Sequence, residues 1–207
     1  PNGNGGWFSS LKNAGLLDLI HENGIEWLNV FAVDNVLQRI ADPCFVGATI
    51  TENRSVGAKV VCKNHPDEKV GVMCLKDNHP SIVEYYELTP ELRDAVDEDG
   101  EPAYNFGVIL NYLFKESELE DICENTLPLH IVEKKIPYID DAGTLIKPEE
   151  PNGYKFETLI LDMIQMMDTC LPFEVERDKE FAPIKNKTGI DSVESARALL
   201  AKNGVTL

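Results

Sequence analysis

A few charged residues sit where the chain breaks direction, which is where side chains reach ligands. Asp34 follows the nearly continuous apolar run 25–33. A hard carboxylate at the carboxyl end of a strand suits a divalent cation carrying phosphate. The same Asp34-Asn35 pair also reads as a cap for a following helix. Glu84 lies within Ile82-Val83-Glu84-Tyr85-Tyr86. Alternation puts Ile82, Glu84 and Tyr86 on one face and Val83 and Tyr85 on the other. The carboxylate then either accepts from sugar hydroxyls or stands in solvent. Lys155 follows Pro151-Asn152-Gly153, and Lys185 follows Phe181-Ala182-Pro183-Ile184. A lysine held by a rigid turn can clamp a phosphate; an ordinary surface lysine is the alternative for each. Gly3-Asn4-Gly5-Gly6 lets backbone approach a ligand closely, with the Asn4 amide free to hydrogen-bond a sugar or base. It reads equally as a flexible turn and lacks the spacing of a P-loop or dinucleotide fingerprint. His130, before an Ile-Val pair, reads as a phosphate contact or a satisfied edge histidine. Neither a Ser-His-Asp nor a Cys-His arrangement can be argued from spacing.

The 207-residue chain has a net charge of −17. Such a surface disfavours nucleic acid and anionic membrane as partners. It also repels a nucleotide, so a phosphate ligand requires locally placed lysines and a divalent cation. Apolar runs are strand-sized, too short to cross a membrane, and a basic-then-apolar leader is not seen. The five cysteines, at 44, 62, 74, 123 and 170, are odd in number and scattered. That fits a reducing cytoplasm, with neither a disulfide framework nor a zinc site.

The elements that must position these residues alternate between helix and strand. Residues 11–22 read as a short helix, and 25–33 as a strand buried on both faces of a parallel sheet. Residues 36–41 read as a helical turn closed by Asp42-Pro43. Strands are expected at 57–63, 70–76 and 81–88, with Asp77-Asn78-His79-Pro80 as a turn. Thr89 caps a helix with Pro90 at its first position. Residues 103–106 read as a brief strand, 107–114 and 116–124 as helices, and 131–139 as a strand. After Pro151-Asn152-Gly153, a helix is expected with Phe156, Leu159, Ile160, Met163, Ile164 and Met167 on one face. Residues 173–176 read as a strand and 192–202 as a helix capped by Ser192. The class is α/β.

Several stretches go further when taken in order: PNGNGG, FAVDNVLQRIADPCFVG, KVGVMC, IVEYYEL, YNFGVI, HIVEKKIPYID, PNGYKFETLILD and EFAPIKN. Together they resemble the UDP-N-acetylhexosamine pyrophosphorylase group of the UDP-sugar pyrophosphorylases, from residue 1 to about the last helix. The resemblance implies a Rossmann-like, GT-A-like nucleotide-diphospho-sugar transferase sheet flanked by helices. Residues 1–187 would be the C-terminal, sugar-binding part of the catalytic domain, and 188–207 a C-terminal helical segment. The implied reaction joins UTP and a sugar 1-phosphate into a UDP-sugar and pyrophosphate, with Mg²⁺.

Carried over by position, Gly3 matches a glycine lining the uridine site and Asn4 a side chain that contacts the sugar. Asp34 matches the Mg²⁺-binding aspartate. Gly71, Glu84 and Asn105 match sugar-pocket positions, with Glu84 accepting from hydroxyls. Lys185 matches a phosphate-binding lysine needed for catalysis, and Lys155 a lysine of a family motif. The family's glycine-rich G-G-x-G-T-R-L-G loop, which cradles the UTP phosphates, is absent, as is the lysine that follows it. The expectation is therefore a piece of a longer enzyme, inactive by itself. Leu159 and Leu161 stand where the eukaryotic acetylhexosamine enzymes carry phenylalanine, while GNGG differs from the G-H-G-D form associated with UDP-glucose pyrophosphorylases. N-acetylglucosamine 1-phosphate is the favoured substrate. UTP–glucose-1-phosphate uridylyltransferase activity, and a non-catalytic module that binds a UDP-sugar, are the alternatives.

Overall fold

The computed structural model describes residues 3–122 and 126–206. Pro1-Asn2 of the first loop, Cys123, and the end of the expected 116–124 helix lie outside the described residues. The chain is mixed α/β, built on a six-stranded mixed sheet.

The centre of that sheet is a strand the sequence conceals. Residues 107–114, expected to be a helix, belong to β5 (Phe106–Lys115). The segment GVILNYLF is apolar almost throughout, so neither a period of 2 nor one of 3.6 stands out. Its setting decides. On one side β5 pairs antiparallel with β2 (Val56–Cys62). On the other, one stretch pairs antiparallel with β1 (Trp27–Phe31) and Gly107 pairs with β3 (Val72–Lys76). Beyond β3 lies β4 (His79–Val83), joined by a tight hairpin at Asp77-Asn78, both with positive φ. At the far edge β10 (Cys170–Glu174) runs parallel to β2. The run 25–33 is thus a half-buried strand antiparallel to its neighbour, not a doubly covered parallel one.

The edge of β5 shared by β1 and β3 is split. Against β2 the register jumps from Ala58↔Tyr112 to Val60↔Val108. Two extra residues of β5 therefore bulge outward there, and Leu110 takes a φ of 50°. Bulges bend a strand and interrupt its ladder. Here the carboxyl end of β1 and the amino end of β3 flank the bulge, and a cavity opens between them.

One face of the sheet carries the main core. Val56, Ala58 and Val60 of β2 meet Phe8, Ile160, Met163, Ile164 and Met167. These come from α1 (Trp7–Asn13) and from α6 (Ile160–Gln165) with the turn after it. The expected 11–22 helix is two: α1 and α2 (Leu17–Glu22), separated by Gly15 at a φ of 70°. The expected long helix after Pro151-Asn152-Gly153 is instead β9 (Gly153–Glu157) followed by the short α6. β9 pairs antiparallel with β6 (His130–Lys134), and Phe156 is exposed. Ile139, expected in the same strand as Ile131, belongs to a small hairpin of β7 (Tyr138–Ile139) and β8 (Leu145–Ile146).

The opposite face packs against α3 (Pro43–Thr51), which the sequence reading missed. Asp42 does not close a helical turn; it opens α3 by accepting from the Cys44 amide at 3.1 Å, with Pro43 at the first helical position. Gly57 of β2 is forced by this contact, since a Cβ there would strike Phe45 and Thr49. Thr89 caps α4 (Pro90–Arg93), α5 spans Glu116–Ile122, α7 spans Arg177–Glu180, and Ser192 forms a capping box on α8 (Val193–Lys202). Ala196 of α8 packs on Leu37 and Ala182. Among the described residues, no helix is long and apolar enough to cross a membrane.

Candidate functional site

The split in the sheet edge is where the candidate residues meet. A cavity of about 370 Å³ is lined by Asn4, Asp34, Gly71, Glu84 and Lys185, five of the eight sequence candidates. They are separated by as much as 181 positions in the chain. An adjoining cleft of about 650 Å³ shares Asn4 and Asp34 and adds Gly3, Trp7 and Val33.

Each residue arrives there for a local reason. Asp34 lies beyond the end of β1 and caps no helix, which overturns the capping alternative; the next helix begins only at Pro43. Its neighbour Asn35 is 3% exposed and binds across to the other loop of the site. Asn35 Nδ2 donates to the Glu180 carbonyl at 2.7 Å, and its Oδ1 accepts from the Ala182 amide at 2.8 Å. The two loops then pair directly: the Ile184 amide donates to the Asp34 carbonyl at 2.9 Å, and Val36 to Ala182 at 3.2 Å. Lys185 is the next residue, and its own amide donates to Asp191 at 2.7 Å. Asp34 and Lys185, opposite charges 151 residues apart, therefore face one cavity from adjacent backbones. Among the described residues, neither side chain is engaged in an ion pair.

The glycine-rich loop is no flexible turn. Gly3 has a φ of 75°, and a Cβ on it would overlap the Thr158 carbonyl oxygen. The Gly5 amide donates to that same oxygen at 2.9 Å. These glycines let backbone approach residues 157–159 of the same chain, which sets Asn4 at the cavity mouth. The Oδ1 of Asn4 accepts from the Ile160 amide at 2.9 Å, one of the orphan donors at the start of α6. That bond fixes the side chain so that Nδ2, a donor, remains for a ligand.

Gly71 precedes β3, and a Cβ there would press on Ile82 and Val108 at 3.1 and 3.3 Å. Glu84 comes just after β4 ends. The expected alternation stops at Val83 because residues 84–87 form a turn, closed by the Glu87 amide donating to the Glu84 carbonyl. Consequently Glu84 and Tyr85 both line the cavity, rather than opposite faces. Burial pushes the Glu84 carboxyl above its ordinary range, and Glu87 adds to this; His130 and Lys185 pull the other way.

Three candidates lie elsewhere or are otherwise occupied. Asn105 stands just before β5, with its side-chain oxygen accepting from the Lys63 amide at 2.9 Å. Lys155 is on β9, paired with Glu157 at 2.6 Å. Neither lines the cavity. His130 pairs with the buried Asp162 at 2.8 Å, so its satisfied-histidine reading holds. Lys69 lines the cavity and was missed. Its place two residues before Gly71, within an acidic chain, is the signal that could have found it.

Among the described residues, two settings offer donors to a metal ion. Asp34 lines the cavity and, among the described residues, has no ion-pair partner, which fits Mg²⁺; that ion commonly takes one or two carboxylates and completes its shell with phosphate and water. His21, Glu116 and Glu120 also bring three donor atoms together. There the His21 ring bridges the carboxylates at 3.1 and 3.3 Å, and the Glu116 hydrogen bond raises the imidazole above its ordinary range. An ion pair between α2 and α5 accounts for that cluster.

Comparison with known proteins agrees with the architecture. The profile of the UTP–glucose-1-phosphate uridylyltransferase family matches residues 1–206. The mouse "UDP-N-acetylhexosamine pyrophosphorylase-like protein 1" is 40% identical over 209 residues, covering 98% of this chain and 41% of that protein. The "UDP-N-acetylglucosamine pyrophosphorylase" of Saccharomyces cerevisiae is 37% identical over 217 residues, covering all of this chain and 45% of its own length. A crystal structure described as a putative UDP-N-acetylglucosamine pyrophosphorylase from Entamoeba histolytica superposes with a TM-score of 0.89 at 35% identity, over 98% of this chain and 51% of that one. The chain thus spans about half the length of the relatives it matches. A mixed sheet split over a charged cavity, and a profile match along nearly every residue, lead to one assignment: this chain belongs to the UTP–glucose-1-phosphate uridylyltransferase family.

Proposed function

We propose that this chain supplies the sugar-binding part of a uridylyltransferase that makes a UDP-sugar and pyrophosphate from UTP and a sugar 1-phosphate. N-acetylglucosamine 1-phosphate is the favoured acceptor, and the cytoplasm the place of action. What carries the reading is the convergence of Asn4, Asp34, Gly71, Glu84 and Lys185 on one cavity. The fold would be the Rossmann-like, GT-A-like core of residues 1–187, with 188–207 as a helical appendage.

In this reading a phosphate oxygen of the sugar 1-phosphate attacks the α-phosphorus of UTP, and the bond to the pyrophosphate leaving group breaks. No protein nucleophile is required, so positioning and charge neutralisation carry the rate. Lys185 neutralises phosphate charge within the cavity. Glu84 accepts from sugar hydroxyls, and Asn4 donates through Nδ2. Gly71 leaves room for the ring, and Gly3 borders the nucleotide cleft. Asp34 would hold Mg²⁺, which when bound neutralises and orients the phosphates. The −17 charge of the chain supports that need.

Leu159 and Leu161 favour a second reading. Both line the cavity at positions where the eukaryotic acetylhexosamine enzymes carry phenylalanine, so glucose 1-phosphate is the runner-up acceptor. The test is pyrophosphate release by the full-length gene product, given UTP and a panel of sugar 1-phosphates. N-acetylglucosamine 1-phosphate should be the best substrate, with Asp34→Asn nearly inactive. Preference for glucose 1-phosphate selects the second reading. Absence of turnover with every acceptor, or full activity in Asp34→Asn, overturns the proposal.

A further inference from the structure

Among the described residues, the most heavily buried charge stands outside both cavities. Lys59, in the middle of β2, is 0% exposed. Side chains alternate along a strand, so Lys59 faces α3 together with Gly57 and Val61. Its Nζ donates to Asp42 Oδ2 at 3.0 Å and to Glu180 Oε2 at 2.5 Å, and it stands over the Phe45 ring. Both carboxylates are buried as well, and Arg39 borders each. Neither Lys59, Asp42 nor Glu180 lines either cavity.

The position of the triad gives it meaning. Asp42 ends the loop that begins at Asp34. Glu180 begins the loop that ends at Lys185, and the carbonyl of that same Glu180 accepts from Asn35. Lys59 therefore ties the far end of the first loop to the near end of the second, while Asn35 ties the near end of the first loop to that same Glu180 end. A buried charge with two partners is weak evidence for stability, because desolvation offsets the attraction. It does define one geometry, since any slippage leaves a buried charge unpaired.

We propose that Lys59, Asp42, Glu180 and Asn35 form a clamp of positioning residues. It sets the distance between Asp34 and Lys185, and so holds the metal-bearing and phosphate-neutralising groups in register. This rests on the uridylyltransferase reading. Asn35 is the discriminating position, because it touches both loops and carries no charge.

The test is made on the full-length gene product with Asn35→Ala, and with Ile164→Val as a truncation in the core on the other face of the sheet. Two readouts are taken: amide hydrogen exchange, and steady-state kinetics with UTP and N-acetylglucosamine 1-phosphate. In Asn35→Ala the Ala182 and Ile184 amides should exchange about 10- to 100-fold faster, the equivalent of losing a buried hydrogen bond. The amides of β2 and β5 should keep their protection. The kcat should fall about 10²-fold, as expected for misplaced reacting groups, with the KM for the sugar phosphate nearly unchanged. Ile164→Val should keep its kcat. Should Asn35→Ala not fold, Asn35→Asp serves: it loses the donor to Glu180 while keeping the acceptor for Ala182, so the Ile184 amide should exchange faster and kcat should fall, with Ala182 less affected. Unchanged exchange at 182 and 184, acceleration spread evenly through β2 and β5, or local loosening with the parent kcat would each overturn the clamp. A parent without turnover on any sugar 1-phosphate instead overturns the uridylyltransferase reading and the catalytic half of this one; the exchange data still decide whether Asn35 joins the loops.

Discussion

Replacing Lys59 by methionine removes one charge from the buried cluster with Asp42 and Glu180 while keeping a side chain of similar length. In the native chain the ammonium serves Asp42 and Glu180 at once, and both are nearly inaccessible to water. Removing one partner of a buried ion pair costs about 3–5 kcal/mol, because the remaining charge loses its compensation. Against a total stability of about 5–15 kcal/mol this is a large fraction. The sign of the pH dependence is the sharper test. Burial alone would raise the Asp42 carboxyl, but the Lys59 ammonium, the Cys44 amide and Arg39 more than reverse this and hold it below the ordinary range. A depressed carboxyl contributes stability above its unfolded pKa, and that contribution is lost as pH falls through the folded value. The native chain should therefore lose this stabilisation only below about pH 4. In Lys59→Met, burial faces weaker opposition and Asp42 moves upward. Stability should then gain an increment as pH falls from 7 toward 5, a window in which the Asp42 contribution of the parent is flat. Urea unfolding followed by the fluorescence of Trp7 and Trp27 at pH 7 and pH 5 measures both quantities. A loss below about 1 kcal/mol at pH 7, within the range of an exposed pair, together with a parent-like pH slope, would refute the reasoning.

Other outcomes follow from the same geometry. Lys185→Ala should lower kcat by about 10²–10³, as loss of one transition-state charge partner does, with little change in sugar-phosphate affinity by calorimetry; equal turnover in parent and variant removes Lys185 from the chemistry. Glu84→Gln should weaken UDP-sugar binding but raise stability at pH 7. The folded carboxyl titrates above its unfolded value, so its ionised form opposes folding, and native stability falls as pH rises through that window; denaturation at pH 7 checks the sign. Gly3→Ala should destabilise by about 1–3 kcal/mol, the scale of a strained left-handed residue, and thermal unfolding measures it. Asn4→Ala should cost about 1 kcal/mol of folding stability through the lost bond to Ile160 and also reduce sugar affinity, whereas a purely structural Asn4 would move only the first.

Local signals read well where the local chain supplies the answer. Thr89 and Ser192 cap helices because a hydroxyl three residues before an orphan amide needs nothing from elsewhere. The hairpin at Asp77-Asn78 is likewise written in two residues that tolerate positive φ. The order of the motifs was enough to identify the family and to name Asn4, Asp34, Gly71, Glu84 and Lys185. Tertiary structure decided the rest, because the deciding partner is distant. GVILNYLF becomes a strand only because β1, β2 and β3 pair with it, and an apolar run has no period to announce that. The turn at residues 84–87 brings Tyr85 to the same side as Glu84, against the alternation of an unbroken strand. The capping alternative for Asp34 stayed open until the next helix was seen to begin only at Pro43, and its place at the cavity depends on Asn35 binding Glu180 and Ala182, 145 and 147 residues away. Lys59 looked like any strand lysine. Its meaning comes from two carboxylates, 17 and 121 residues off, that converge only when the sheet and α3 close over them.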